Sequence, residues 1–265
     1  MEAIAELRAR RGGQPLWLVL HYLPSSLDQN TPERVLSYEA TALRLVDGVL
    51  TTSELMGQFA AQRGARRVCT VEPGVEPGPL STAPAGKPAA FIMLANVTSN
   101  KGLLPLLEAL ALRVGADERF TLSVVGDLAR EPSYARRCQE LCRRSKALRD
   151  RVRLVGARSP DQARALLARS DVFVSASVFE AYGMALAEAR AAGVPILARA
   201  GGNVAYHVDV EWGGQLCDNH DALADGILAL LRAPGELAMR QRRARAHRFA
   251  RSWETAVDEF LAVAD

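Results

Sequence analysis

Lysine is nearly missing from this chain. Of its 33 basic residues only Lys87, Lys101 and Lys146 are lysines, and the remainder are arginines. Arginine clusters therefore reflect composition and carry little functional weight, whereas an isolated lysine carries more. A surplus of either charge is absent too: 30 acidic residues leave a net charge of +3. The pI near 8.8 thus marks near-balance and gives no sign of a surface for long polyanions, so no nucleic-acid partner is expected. The four cysteines, Cys69, Cys138, Cys142 and Cys217, form no C-x-x-C pair and no Cys/His zinc spacing. That usage reads as a reduced, cytoplasmic protein. No apolar run reaches the ~18 residues of a membrane span, and the opening MEAIAELRARRGG has no apolar core of a signal peptide. Neither G-x-G-x-x-G after a first strand nor the P-loop pattern occurs, and no D-x-D pair is present to hold a metal.

What remains is an ordinary globular composition, 49% hydrophobic and 24% charged over 265 residues, enough for one large or two small α/β domains. Strand-like runs rich in β-branched residues alternate with helical periodicity throughout, which predicts parallel sheets with crossover helices. Residues 2–11, 32–46 and 53–63 read as helices, with strands at 15–21, 48–51 and 67–71. Residues 73–88, PGVEPGPLSTAPAGKP, hold five of the 13 prolines and read as a linker.

Beyond the linker the pattern predicts strands at 91–95, 121–125, 152–155, 172–176, 194–198 and 215–217. Helices are expected at 102–114, 133–148, 160–168 and 184–192, and three more close the chain near 221–232, 234–249 and 252–263. The expected organisation is α/β. A partial Rossmann-like domain with its linker spans 1–84, and a complete doubly wound domain spans 85–265, with the last helix free to cross back. The first part lacks the opening strand and glycine-rich turn with which such a domain usually begins. An incomplete sheet exposes an edge and apolar surface, which leaves dimerisation open.

The densest chemistry lies in VFVSASVFEAYGMALAEARAAGVPILARAGG, residues 172–202. A strand ends near Ala176, a loop carries Glu180, and Tyr182-Gly183-Met184 leads into a helix containing Glu188. In an open α/β sheet such a loop sits at the carboxyl end of a strand, where ligands bind. The first helical N–H groups, around Gly183, Met184 and Ala185, would face an anion such as a diphosphate, and Gly183 allows close approach to the backbone. Glu188 could accept both hydroxyls of a vicinal diol such as a ribose, and Glu180 hydroxyls of a neighbouring sugar. Taken singly, each carboxylate reads as well as a loop or helix-start acid; the constellation is what points to a ligand.

The stretch FEAYGMALAEARAAGVPILA resembles the E-x7-E signature of the retaining glycosyltransferases of family 4, which have the GT-B fold. The resemblance implies that Glu188 holds the nucleotide ribose and Glu180 the donor sugar. FIMLANVTSNKGLLPLLEAL, residues 91–110, is similar to the family's first donor-domain strand and its basic loop. Lys101 then falls on the lysine that contacts the donor diphosphate, beside Gly102, and Asn96 stands where many members carry an arginine. LSVVGDL, containing Gly126, and VRLVGA resemble loops near the nucleobase. ARAGGNVAYHV resembles the double-glycine loop beside the phosphates, with Gly202 in that role, although the usual Pro-Glu reads Ala205-Tyr206 here. LVLHYLPSS is similar to a segment whose histidine, here His21, reaches the donor sugar.

The resemblance implies transfer of a sugar from a UDP- or GDP-sugar to an unidentified acceptor hydroxyl with retention of configuration. No metal and no cofactor beyond the donor are expected, because Lys101 and helix-end N–H groups neutralise the departing diphosphate. The catalytic set is then Glu180, Lys101 and His21. The alternative is a nucleotide-sugar-binding module that needs a partner chain or a further N-terminal segment, as Asn96 and the short first half suggest. The basic stretch 238–251 reads as a solvated helix face and leaves peripheral membrane contact open.

Overall fold

The computed structural model describes residues 2–10, 12–27, 30–82 and 89–264. They form two compact units. One comprises residues 1–74 with 251–265, and the other residues 75–250.

The smaller unit contains α1 (Glu2–Arg10), β1 (Trp17–Leu20), α2 (Pro24–Leu27), α3 (Glu33–Leu45), β2 (Gly48–Thr51), α4 (Glu54–Gln62) and β3 (Val68–Thr70). Its three strands are parallel in the order β1-β2-β3. Ser53 caps α4, its hydroxyl accepting the Met56 N–H at 3.2 Å. Leu50 and Val71 pack with Ala256 of the last helix. Gly74, the last residue of this unit's first segment, lies so close to the Trp253 backbone that a Cβ there would sit 2.5 Å from it.

The larger unit runs β4 (Ala89–Leu94), α5 (Leu103–Arg113), β5 (Phe120–Val125), α6 (Pro132–Arg144), β6 (Val152–Gly156), α7 (Pro160–Ala168) and β7 (Val172–Ser175). It continues with α8 (Met184–Ala192), β8 (Ile196–Arg199), α9 (Val204–His207), β9 (Gln215–Cys217), α10 (His220–Arg232) and α11 (Pro234–Ala246). The last helix, α12 (Trp253–Ala264), belongs to the smaller unit. All six strands are parallel, in the order β6-β5-β4-β7-β8-β9. Side chains alternate across the sheet, as strand geometry requires. Phe91 and Met93 of β4 face α5 and α10 through Leu106, Leu110 and Ile227, whereas Ile92 faces α7 and α8 through Leu167 and Leu186. Both faces are covered, so the strands read as nearly continuous apolar runs.

The expected elements are present, with three instructive differences. The helix expected to reach residue 148 ends at Arg144, because Ser145 turns extended and Leu148 is driven fully into the core. The strand expected from Val194 begins at Ile196, since Gly193 closes α8 in a left-handed turn (φ +68°) and the Val194 N–H donates back to Ala189 O at 3.0 Å. The four-residue helices α2 and α9 are too short for periodicity to announce. The compact units divide at 74/75, ahead of the boundary at 84/85 expected from composition. Residues 75–82 are tied to the larger unit: Ser81 N–H donates to Ala192 O at 2.9 Å and Thr82 N–H to Ala168 O at 2.8 Å. The rest of the proline-rich linker, residues 83–88, lies outside the described residues. Among the described residues no helix is long and apolar enough to cross a membrane.

Candidate active site

The strand order reverses between β4 and β7, the two central neighbours whose crossovers leave in opposite directions. A crevice opens at the carboxyl ends of strands at such a point. Lys101 follows β4 and Glu180 follows β7, so the topology alone brings this pair to one place. Their side chains meet, Lys101 Nζ donating to Glu180 Oε1 at 2.7 Å, with 25% and 17% of the two side chains exposed.

Glycine makes the approach of the two loops feasible. Gly102 adopts φ +65°, and a Cβ there would stand 2.0 Å from Ala176 O and 2.5 Å from His220 Nε2. The His220 ring donates its Nε2–H to the same Ala176 carbonyl at 2.9 Å, and burial pushes its pKa below the ordinary range. Asn100 adds two further ties, accepting the Val178 N–H at 2.8 Å and donating Nδ2–H to Phe179 O at 3.4 Å. Arg199, at the end of β8, donates Nη1–H to Val178 O at 3.0 Å. The loop from Ala176 to Glu180 is thus bound from both sides through its backbone, which leaves the Glu180 carboxylate to the crevice and to Lys101.

Past Glu180 the chain pairs with the double-glycine loop. Glu180 and Gly202 form an isolated parallel bridge, and a Cβ on Gly202 would lie 2.3 Å from Glu180 O. Tyr182 is buried, and Gly183, at φ +102°, starts α8 in a backbone conformation that favours glycine. Among the described residues the N–H groups of Gly183, Met184 and Ala185 have no acceptor, as the first turn of a helix requires.

Glu188 lies a turn into α8, largely withdrawn from water. Burial raises its carboxyl pKa above the usual range, an effect the Arg164 guanidinium partly offsets. Arg164 spends its own ion pair on Asp161, at 2.6 Å, and among the described residues no hydrogen bond or ion pair reaches Glu188. It is a partly buried carboxylate without a protein partner among the described residues, a placement that raises the cost of its charge.

Asn96 and Gly126 sit together at the ends of β4 and β5. The Asn96 Oδ1 accepts the Asp127 N–H at 3.1 Å, and a Cβ on Gly126 would be 1.9 Å from Ala95 O. His21 stands exposed just after β1, in the other compact unit from Lys101 and Glu180. Direct contacts therefore join Lys101, Glu180 and Gly202, and Tyr182, Gly183 and Glu188 follow on the same loop and helix. Among the described residues no three His, Cys, Asp or Glu side chains cluster as metal ligands.

Sequence reasoning missed Asn100, Arg199, Asn203, His207 and His220. The Asn203 N–H donates to Glu180 O at 2.7 Å and its Nδ2–H to Tyr182 O at 3.1 Å. His207 is 2% exposed, and burial pushes its pKa down to about 4. The available signals were histidine scarcity, four in the whole chain, and an Asn following the double glycine.

The family model described as "Glycosyl transferases group 1" matches residues 81–251. The D-inositol 3-phosphate glycosyltransferase of Salinispora tropica is 35% identical over 116 residues, covering 43% of this chain and 24% of that protein. D-inositol 3-phosphate glycosyltransferase 1 of Catenulispora acidiphila is 28% identical over 291 aligned positions, covering 98% of this chain and 68% of its own length. The chain thus spans between a quarter and about two thirds of these relatives. Among solved structures, Anabaena Alr3699/HepE in complex with UDP and glucose superposes with a TM-score of 0.80 at 21% identity, over 99% of this chain and 75% of the other. Sucrose-phosphate synthase from Thermosynechococcus elongatus gives 0.77 at 23%, over 97% and 69%.

Proposed function

The chain belongs to the group 1 glycosyl transferases and has their GT-B-type fold, and on that premise we propose that it transfers a sugar from a nucleotide diphosphate sugar to an acceptor hydroxyl with retention of configuration. The observation that carries this reading is the 2.7 Å ion pair of Lys101 and Glu180 at the reversal of strand order. A lysine confined by a carboxylate keeps its charge in a fixed place, where the oxygens of a diphosphate can share it. The Anabaena neighbour's complex with UDP and glucose supports a donor of this class.

In this reading the N–H groups at the start of α8 and the Lys101 ammonium take up the diphosphate's developing negative charge. Glu188, without a partner among the described residues, accepts the two ribose hydroxyls. Glu180 accepts a hydroxyl of the sugar while orienting Lys101. The acceptor oxygen bonds to the anomeric carbon on the face that the phosphate leaves, the bond from that carbon to the diphosphate oxygen breaks, and the acceptor proton passes to a departing phosphate oxygen. The step needs neither an enzymic nucleophile nor a bound metal.

One observation favours a second reading, in which the chain binds the nucleotide sugar without transferring it. Asn96 is uncharged, and its Oδ1 is committed to the Asp127 N–H, so one cation fewer faces the diphosphate. Calorimetry with UDP and GDP separates the outcomes. Glu188→Ala is expected to weaken nucleotide binding by roughly 1–3 kcal/mol, the cost of a lost buried acceptor for a diol. Unchanged affinity in that variant overturns the donor-site assignment. Binding together with release of UDP or GDP from the sugar nucleotide supports transfer, and binding with no turnover over a panel of acceptors supports the second reading.

A further inference from the structure

We propose that Asn203 and His207 are positioning residues for donor binding, which together lock the Tyr182–Gly183 peptide and so aim the first N–H groups of α8. The inference rests on the donor-site reading above and adds two residues to it. Both lie in the segment that resembles the double-glycine loop, where the resemblance gives a role to Gly202 and none to Asn203 or His207.

The Tyr182 carbonyl receives two hydrogen bonds, from Asn203 Nδ2–H at 3.1 Å and from the His207 ring at 2.8 Å. A carbonyl has two lone pairs, so both are filled. Because a carbonyl only accepts, His207 must carry its proton on Nε2, and Nδ1 is the deprotonated nitrogen. Burial keeps the ring neutral, which this tautomer requires. The ring also packs edge-on against Tyr182, with centroids 5.0 Å apart, and a Cβ on Gly183 would come 3.2 Å from its Cδ2. His207 therefore bears on the turn through a donor, through an aromatic face and through the space that only glycine leaves open.

The consequence follows from the planarity of the peptide bond. In a trans peptide the N–H points opposite to the C=O. With Tyr182 O drawn toward α9, the Gly183 N–H is turned away from α9, and it is followed in the chain by the Met184 and Ala185 N–H groups, which have no acceptor among the described residues. Flipping that peptide would forfeit two hydrogen bonds at once. Asn203 contributes a second restraint, since its backbone N–H holds Glu180 O at 2.7 Å. One residue thus grips the loop on both sides of Ala181 and links the heights of Glu180 and of the α8 start.

The test compares nucleotide with nucleoside. The diphosphate meets the α8 start and the bare nucleoside does not, so Asn203→Ala and His207→Phe should each weaken UDP or GDP binding about tenfold while uridine or guanosine binding stays within twofold. His207→Gln, which keeps an N–H donor, should recover most of the loss. A fall in Tm with the nucleotide-to-nucleoside ratio unchanged overturns the positioning role. Wild-type protein that binds neither UDP nor GDP overturns the donor-site reading itself, a result distinct from an unchanged ratio. Nitrogen-15 NMR of the wild-type histidines gives a check independent of any ligand and of variant folding: an Nε2–H tautomer at His207 is expected, and an Nδ1–H tautomer overturns the lock.

Discussion

Each compact unit holds a carboxylate drawn away from open solvent, Glu39 fully and Glu188 in part, and their partners within the protein differ. Glu39, on α3 of the three-stranded unit, accepts the Ser25 N–H at 2.8 Å and the Ser25 hydroxyl, with Arg63 Nε at 3.7 Å. Glu188, on α8 of the six-stranded unit, has no hydrogen bond or ion pair among the described residues. A carboxylate that serves the fold arrives with its donors, because an unpaired buried charge costs several kcal/mol. In the proposed function, a carboxylate without a protein partner among the described residues, beside a glycine turn and a helix start, takes its donors from the nucleotide. The contrast lies both in depth and in the partners that each carboxylate has within the protein.

The largest expected effect tests the structural half of the contrast. Glu39→Ala strands the buried Ser25 donors and the Arg63 guanidinium, and should cost about 2–4 kcal/mol in urea unfolding. Amide exchange should rise first in residues 17–70. A loss below about 0.5 kcal/mol would break the comparison by making Glu39 as dispensable to the fold as Glu188.

Next in size is an acid effect confined to the larger unit. Burial holds the His207 imidazole down to about 4, against 6.5 for the free side chain, so between these values the unfolded chain binds the proton more tightly. The stability that comes from keeping the ring neutral is therefore complete above about pH 6.5 and is lost as pH falls toward 4. The full swing is on the order of 3 kcal/mol. Urea midpoints of wild type and His207→Phe, measured from pH 7 to pH 4.5, should converge on acidification, and parallel curves would remove His207 as the source.

The smallest effect sharpens the functional half. Burial raises the Glu188 pKa, so its charge is a cost in the free protein. Glu188→Gln should raise stability at pH 7 by less than about 1 kcal/mol while weakening nucleotide binding. A loss of stability in that variant would mean that Glu188 serves the fold after all.

Much of the larger unit was legible in the chain. Its strands are apolar on both faces, its helices are long enough for periodicity, and Gly183 and Gly193 bracket α8 as punctuation. The pairing of Lys101 with Glu180 was only implicit, since 79 positions separate them. Asn203 and His207 were invisible for a related reason. Residues 203–207 make a single helical turn, too short to leave a period, and a histidine whose partner is a backbone carbonyl leaves no mark in a pattern of side chains. Residues 75–82 misled because proline and glycine mark irregular backbone, whether it is free or is bound along a surface, as Ser81 and Thr82 bind Ala192 and Ala168.

Alternating apolar runs and helical periods determined by themselves that this chain builds parallel sheets, because the side-chain periods of strand and helix are local properties of the backbone. The E-x7-E spacing likewise fixed one carboxylate on a loop and one on the helix behind it. Which carboxylate is partnered and which is left unfilled was decided only in three dimensions. Partnership depends on groups brought together by the crossovers of the sheet and on the water those crossovers exclude, and no interval along the chain encodes either.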